Sequence, residues 1–119
     1  MRKILAPALL ALIGALPAAA EDIHYQIANA GDLAWLCARP SDPSAIHMCQ
    51  GFLVGVHRMH LAVAEAMGNK LYCPPGDGSV TRDSVSADFS AWVGETAGAP
   101  EMAAHEALLT WAQATYPCT

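Results

Sequence analysis

The sequence is poor in charge, and poorest in positive charge. Only 14% of its 119 residues are charged, and six Lys and Arg stand against eleven Asp and Glu. A chain with so few cations repels polyanions, so no nucleic-acid partner is expected. The length also excludes a TIM barrel or a full dinucleotide-binding enzyme. A single small domain, with or without a leader, remains.

Long apolar runs are scarce as well, and the longest lies at the N-terminus. Residues 1–20 begin with Arg2 and Lys3, continue as an apolar run, and end with Ala18 and Ala20, the small residues of a cleavage site. The run is shorter than the ~20 residues of a membrane span, so it predicts a signal peptide. We therefore expect export and a mature domain at residues 21–119. That domain has a formal charge of −7, and no membrane contact is expected after cleavage.

Motifs of catalysis and cofactor binding are missing too. The sequence has no G-x-S-x-G, no H-E-x-x-H and no glycine-rich phosphate loop. It therefore predicts a binding protein and not an enzyme, with no catalytic residue and no cofactor. His57, Met59 and His60 leave a copper or zinc carrier open as an alternative. The prediction is no metal site, with His60 partly facing the core, His57 on the surface, and His24, His47 and His105 exposed.

Four cysteines occur, and all lie in the mature part: Cys37, Cys49, Cys73 and Cys118. An even number in a small exported domain predicts two disulfides. Cys49 and Cys73 cannot pair, because they fall at opposite ends of a predicted helix ~36 Å long. The short proline turn after Cys37 favours 37–49 with 73–118, and 37–73 with 49–118 stays open.

Helical periodicity dominates the mature chain, and no segment alternates as a strand would. The sequence predicts an all-α fold, a small bundle of about four helices joined by two disulfides. Residues 21–28 are expected to be a mobile arm. The helices are predicted from a cap at Asn29 or Asp32 to Cys37, from near Ser44 to Gly68, from a cap at Ser79 or Thr81 to about Glu95, and from Pro100 to Pro117.

Two features of this pattern suggest contact surfaces. Gly51 and Gly55 lie one turn apart in the long helix, which suggests close packing against another helix of this chain or of a second copy. The loop at residues 72–79 is rigid at its prolines and projects Gly76, Asp77 and Gly78, so Tyr72 and these three residues are candidate partner contacts. The turn at residues 97–101 is a second candidate surface. Three tryptophans, at 35, 92 and 111, are expected in the core or between helices.

The order of these features resembles a known family. It is carried by Gly31-Asp32-Leu33 before Cys37, Cys49-Gln50-Gly51-Phe52-Leu53-Val54-Gly55-Val56, Leu71-Tyr72-Cys73-Pro74-Pro75 and the final Tyr116-Pro117-Cys118. Together they resemble the Rap/Tai family of type VI secretion amidase-immunity proteins.

The resemblance implies a periplasmic, all-α, two-disulfide protein that tends to form homodimers. Its implied partner is a papain-like peptidoglycan amidase toxin, whose catalytic cleft the immunity protein occludes without catalysing a reaction. An HdeA-like periplasmic acid-stress chaperone is the alternative, since such proteins are also small, exported, helical and dimeric.

Overall fold

The computed structural model describes Gly14 and residues 23–119, and this part of the chain contains four α-helices and no strand. The all-α prediction is confirmed. The predicted signal peptide lies outside the described residues, except for Gly14. No helix in the described part is long and apolar enough to cross a membrane. The helices are α1 (Ala30–Cys37), α2 (Pro43–Met67), α3 (Arg82–Glu95) and α4 (Ala104–Thr115).

Capping residues set the ends of the first three helices close to the predicted positions. The Asn29 side chain accepts the N–H of Asp32 at 2.9 Å and begins α1. Asp42 caps α2, and Gly68 ends that helix with a left-handed φ of 78°. Thr81 begins α3 with a reciprocal capping box.

The short helix α1 lies at the centre of the domain and contacts all three other helices. Its Leu33 and Leu36 are fully buried, as is Phe89 of α3. Trp111 of α4 is also buried, while Trp35 and Trp92 are half-buried against this core, in line with the prediction for the three tryptophans. This core holds the C-terminal half of the chain against the long helix.

Both disulfides follow the favoured pairing. Cys37–Cys49 joins the end of α1 to α2, and Cys73–Cys118 joins the loop after α2 to the C-terminus. Cys37 and Cys49 are buried in the core, whereas Cys73 and Cys118 are exposed. The second bridge therefore acts as a surface clamp between two segments that are distant in sequence.

The prediction of a mobile arm is wrong for residues 23–28. Ile23–Gln26 forms a short 3₁₀ turn, and His24 bonds the Asp32 carboxylate at 3.0 Å. The His24 ring also stacks on Trp35 with centroids 4.3 Å apart, so this histidine is half-buried and not exposed as predicted. Arg39 lies over the same Trp35 ring at 3.6 Å.

The last helix begins later than its proline suggests. Pro100 lies in a separate 3₁₀ turn, Ala99–Glu101, and α4 starts only at Ala104. Met102 is extended, with φ −64° and ψ 153°, and its carbonyl accepts the N–H of Ala30 at 2.8 Å. This bond to the start of α1 takes the place of a continuous helix.

Candidate partner-binding site

The base of the loop at residues 72–79 is held to the C-terminal segment by two bonds. Its Cys73 is bonded to Cys118, and the Cys73 N–H donates to the carbonyl of Tyr116 at 2.8 Å. Pro74 and Pro75 follow and restrict the backbone further. The loop thus leaves the domain from a fixed point.

Tyr72 is the first residue of this loop, but its side chain lies beneath the exposed part. Its side chain is buried, and its ring stacks on His60 with centroids 4.1 Å apart. The Tyr72 hydroxyl forms a hydrogen bond with Nδ1 of His57 at 2.9 Å, and burial raises the pKa of Tyr72. Tyr72 therefore anchors the loop on α2, which is an indirect role in any contact that the loop makes.

His60 completes the anchor. Its Nε2 accepts the backbone N–H of Leu71 at 2.9 Å, whereas its Nδ1 is buried without a hydrogen-bond partner among the described residues. Burial, followed by the charge of Lys70, lowers the pKa of His60. Burial also lowers the pKa of His57, with further contributions from His60, Arg58 and Lys70. Both imidazoles are thus biased towards the neutral form.

The tip of the loop consists of Gly76, Asp77 and Gly78, which are all exposed. Asp77 accepts hydrogen bonds from the N–H and the hydroxyl of Ser79, and these bonds hold the pKa of Asp77 below its usual range. Gly78 has a φ of 81°, which side-chain-bearing residues rarely adopt. The tip therefore presents an ordered carboxylate to the solvent.

A cleft of about 300 Å³ lies beside the loop. Such a recess, with mostly apolar walls and a few polar groups, suits an apolar side chain or a small apolar ligand. The lining residues include Leu53, Val54 and His57 from α2, Tyr72, Pro74 and Pro75 from the loop, Arg82 and Val85 from α3, and Leu108, Trp111 and Tyr116 from the C-terminal part.

A second surface follows the solvent side of α2. Gly51 and Gly55 are exposed there, and a Cβ built on either meets no atom within 4 Å among the described residues, apart from its chain neighbours and the adjacent backbone of α2. The two glycines thus receive no helix formed by the described residues, which leaves packing against a second copy as the prediction. Large apolar side chains are exposed on the same helix: Met48, Met59, Val63 and Met67.

The turn predicted as a second partner contact is only partly accessible. Ala99 is buried and Pro100 is half-buried, whereas Ala97, Gly98 and Glu101 are exposed. The turn is close to the N-terminus of α1, because a Cβ on Gly31 would meet the Pro100 carbonyl at 3.3 Å. It thus offers a smaller protrusion than the 72–79 loop does.

The two histidines of the long helix lie near each other, with ring centroids 6.2 Å apart. His60 faces the core, as predicted, but His57 is half-buried against Tyr72 and not on the surface. Within the described residues no group of three or more His, Cys, Asp or Glu is arranged to hold a metal ion. The observed side-chain hydrogen bonds of His57 and His60 are instead with Tyr72 and Leu71, at the beginning of the loop.

The sequence analysis did not predict the contacts of His60 with Leu71 and Tyr72. A signal for it exists, because His60 falls in the apolar stripe of α2 and a buried polar side chain requires a partner. The sequence does not show which partner that is, since Leu71 contributes only its backbone N–H.

Comparison with known proteins identifies a family. The family model of Rap1a immunity proteins matches residues 29–118, which include all four helices and both disulfides. No curated protein and no solved structure matches the chain.

Proposed function

The chain belongs to the Rap1a immunity proteins, and we propose that it protects the periplasm against a peptidoglycan amidase toxin delivered by type VI secretion. An immunity protein acts by binding its toxin, so its own residues need no catalytic arrangement. In the proposed mechanism the protein occludes the catalytic cleft of a papain-like amidase. The residues proposed to contact the toxin are Gly76, Asp77 and Gly78, with Tyr72 holding the loop from below.

The observation that carries this proposal is the exposed loop tip on a doubly fastened base. A loop that is ordered before binding loses little conformational entropy when it enters a cleft. The Cys73–Cys118 bridge and the Tyr72 stack on His60 both restrict this loop in the free protein. The adjacent cleft gives the toxin a recess for one apolar side chain.

Charge supports the same surface. The mature chain, without its leader, has a formal charge of −7, which accelerates encounter with a basic partner and opposes acidic ones. Asp77 places one of these charges at the tip of the loop, where the hydrogen bonds from Ser79 favour its ionised form. A basic rim on the toxin's cleft is the complement that this tip requires.

The proposed compartment agrees with the cysteine chemistry. The periplasm permits disulfides, and all four cysteines are paired. Residues 1–20 are proposed as the leader that takes the chain there, and residues 21–119 as the mature immunity domain. Finding the protein in an osmotic-shock fraction with an N-terminus at Glu21 is the direct test.

The first test of the function is inhibition of type VI amidases acting on peptidoglycan, with Asp77 variants as probes. We expect wild-type protein to stop hydrolysis and Asp77→Lys to bind about ten- to a hundredfold more weakly. Asp77→Asn keeps an oxygen that accepts hydrogen bonds from Ser79 but removes the charge. The affinity that this variant loses therefore measures the effect of the charge without a change in loop geometry.

The matched control is Glu95→Lys, which makes the same change in net charge at an exposed residue outside the loop. It should reduce the association rate slightly and leave the dissociation rate unchanged, because it alters only the overall field. If Glu95→Lys weakens binding as much as Asp77→Lys does, the loop is not the contact.

We further propose that the protein forms a homodimer through the exposed face of α2 that contains Gly51 and Gly55. Apolar side chains and glycines on one exposed helix face suit close packing of two helices. A bulky residue at Gly55 fits the monomer, since the space around it is open. Gly55→Leu should therefore leave the monomer folded and dissociate the dimer.

Sedimentation at micromolar concentration is the measurement, with Gly94→Leu as the control. Gly94 is also an exposed helical glycine with open space around it, but it lies on α3. Both variants should gain up to about 1 kcal/mol of helix stability per monomer. A wild-type protein that sediments as a monomer, or a Gly55→Leu variant that stays dimeric, contradicts the proposal.

A further inference from the structure

The imidazole of His60 is a buried polar group in an unusual bonding state. Its side chain is 6% exposed, and one ring nitrogen, Nδ1, has no hydrogen-bond partner within the described part of the chain. The other nitrogen, Nε2, accepts the backbone N–H of Leu71 at 2.9 Å. Leu71 directly precedes Tyr72, so this bond ties the beginning of the loop to α2.

The bond determines where the proton of His60 resides. An accepting Nε2 carries no proton, and the neutral ring therefore carries its proton on the unpartnered Nδ1. Leaving a buried donor unpaired is unfavourable, yet the alternative tautomer would set two N–H groups against each other at Leu71. Protonation of the ring also places an N–H at Nε2 against the Leu71 N–H, and the hydrogen bond between them is then lost.

We propose that neutral His60 is the positioning residue of the 72–79 loop, and that acid releases residues 70–72 by protonating its Nε2, while Cys73 stays bonded to Cys118. Loss of the Leu71 bond would loosen Tyr72 from its stack on His60 and with it the beginning of the loop. The consequence for toxin binding, a weaker complex in acid, rests on the function proposed above. The release itself does not.

Burial and the charge of Lys70 both oppose protonation of His60. His57 lies on the same helix, with ring centroids 6.2 Å away, and the segment that packs against His60 supplies Lys70 and Tyr72. None of these groups is negative at neutral pH. A proton on His60 therefore finds no carboxylate among them, and it is accommodated only if the segment moves away.

The direction with pH follows from linkage. Burial and Lys70 lower the pKa of His60 in the folded state, whereas an unfolded or released histidine titrates near pH 6.5. Between the folded-state pKa and about 6.5, the released state binds more protons. The anchor is thus complete above about pH 6.5 and weakens as the pH falls through that window.

The experiment is an NMR titration of protein purified after export, from about pH 7.5 down to about pH 4.5. We expect the Leu71 amide to lose its exchange protection, and its signal to shift, with the same midpoint as the His60 ring protons. In His60→Gln the side-chain amide oxygen accepts the Leu71 N–H but does not titrate, so protection should persist. His47→Gln, which removes an exposed histidine, should behave as wild type.

Toxin affinity is measured over the same range for wild type and His60→Gln. The ratio of their Kd values cancels the pH dependence of the toxin itself. We expect the wild-type Kd to rise relative to that of His60→Gln as the pH falls below about 6.5, by up to about tenfold per pH unit, the limit for the uptake of one proton.

The outcomes separate the two proposals. Protection of Leu71 that survives at the lowest pH, or that is lost identically in His60→Gln, overturns the positioning role. Loss of protection as expected, together with no toxin binding at any pH, upholds the role of His60 and contradicts the proposed function. If His60→Gln does not fold, the wild-type titration decides alone. The positioning role then requires that the Leu71 amide and the His60 ring protons share one midpoint, and different midpoints overturn it.

Discussion

Removing the Cys73–Cys118 bridge should lower the free energy of unfolding by about 4 kcal/mol. The bridge closes a segment with a sequence separation of 45, and a cross-link of that length removes about this much chain entropy from the unfolded state. Cys37–Cys49, with a separation of 12, contributes about 3 kcal/mol by the same relation. The longer closure makes the surface clamp the stronger stabiliser.

Urea denaturation of the Cys73→Ala, Cys118→Ala double variant measures this loss. Both cysteines are exposed, so their side chains contribute little packing, and the corresponding serine variant should lose the same amount. If the alanine and serine variants lose very different amounts of unfolding free energy, the loss comes from side-chain contacts and not from the cross-link. A loss below about 1 kcal/mol would mean that the unfolded chain gains little freedom.

Phe89→Ala should lower the free energy of unfolding by a similar amount, about 3–5 kcal/mol. Phe89 is fully buried, and its ring packs against Trp111, 5.8 Å away edge-on, and against Trp92 at 6.2 Å. Truncation removes these contacts and leaves a cavity that the surrounding helices cannot fill. Small domains are stable by only about 5–15 kcal/mol, so this variant approaches the limit of folding.

The control is Phe89→Leu, which retains most of the volume and should lose about 1 kcal/mol. Trp92→Ala offers a second comparison, since Trp92 is only half-buried and its removal leaves less of a cavity. Equal losses for Phe89→Ala and Phe89→Leu in chemical denaturation would show that the site collapses around the shorter side chain. The cavity explanation would then be wrong.

Local chemistry made most of the helix boundaries predictable. Asn29 and Thr81 each accept a hydrogen bond from a backbone N–H three residues later, and such short-range bonds can be inferred from neighbouring residues alone. Gly68 ends α2 for an equally local reason, its left-handed conformation. Pro100 misled the prediction of α4, because Met102 bonds Ala30 on a different element.

In the candidate site, too, only the features that depend on neighbouring residues were predictable. Exposure of Gly76, Asp77 and Gly78 follows from a polar, glycine-rich tip between two prolines and a helix cap. Burial of Tyr72 does not, since an aromatic residue beside an exposed cysteine suits either a surface or a core. Its place depends on His60, twelve residues earlier on another element.

The sequence by itself determined the class of the protein: an all-α domain with two disulfides, its first three helices and the resemblance to an immunity family. These follow from short-range hydrogen bonds, helical periodicity and the reach of a chain between cysteines. Only the tertiary structure decided that His24 docks on Trp35, that His60 holds Leu71, and that no helix in the described part of the chain covers Gly51 and Gly55 on α2. Such contacts join residues whose proximity depends on how the whole chain closes around its core, and no local pattern encodes that closure.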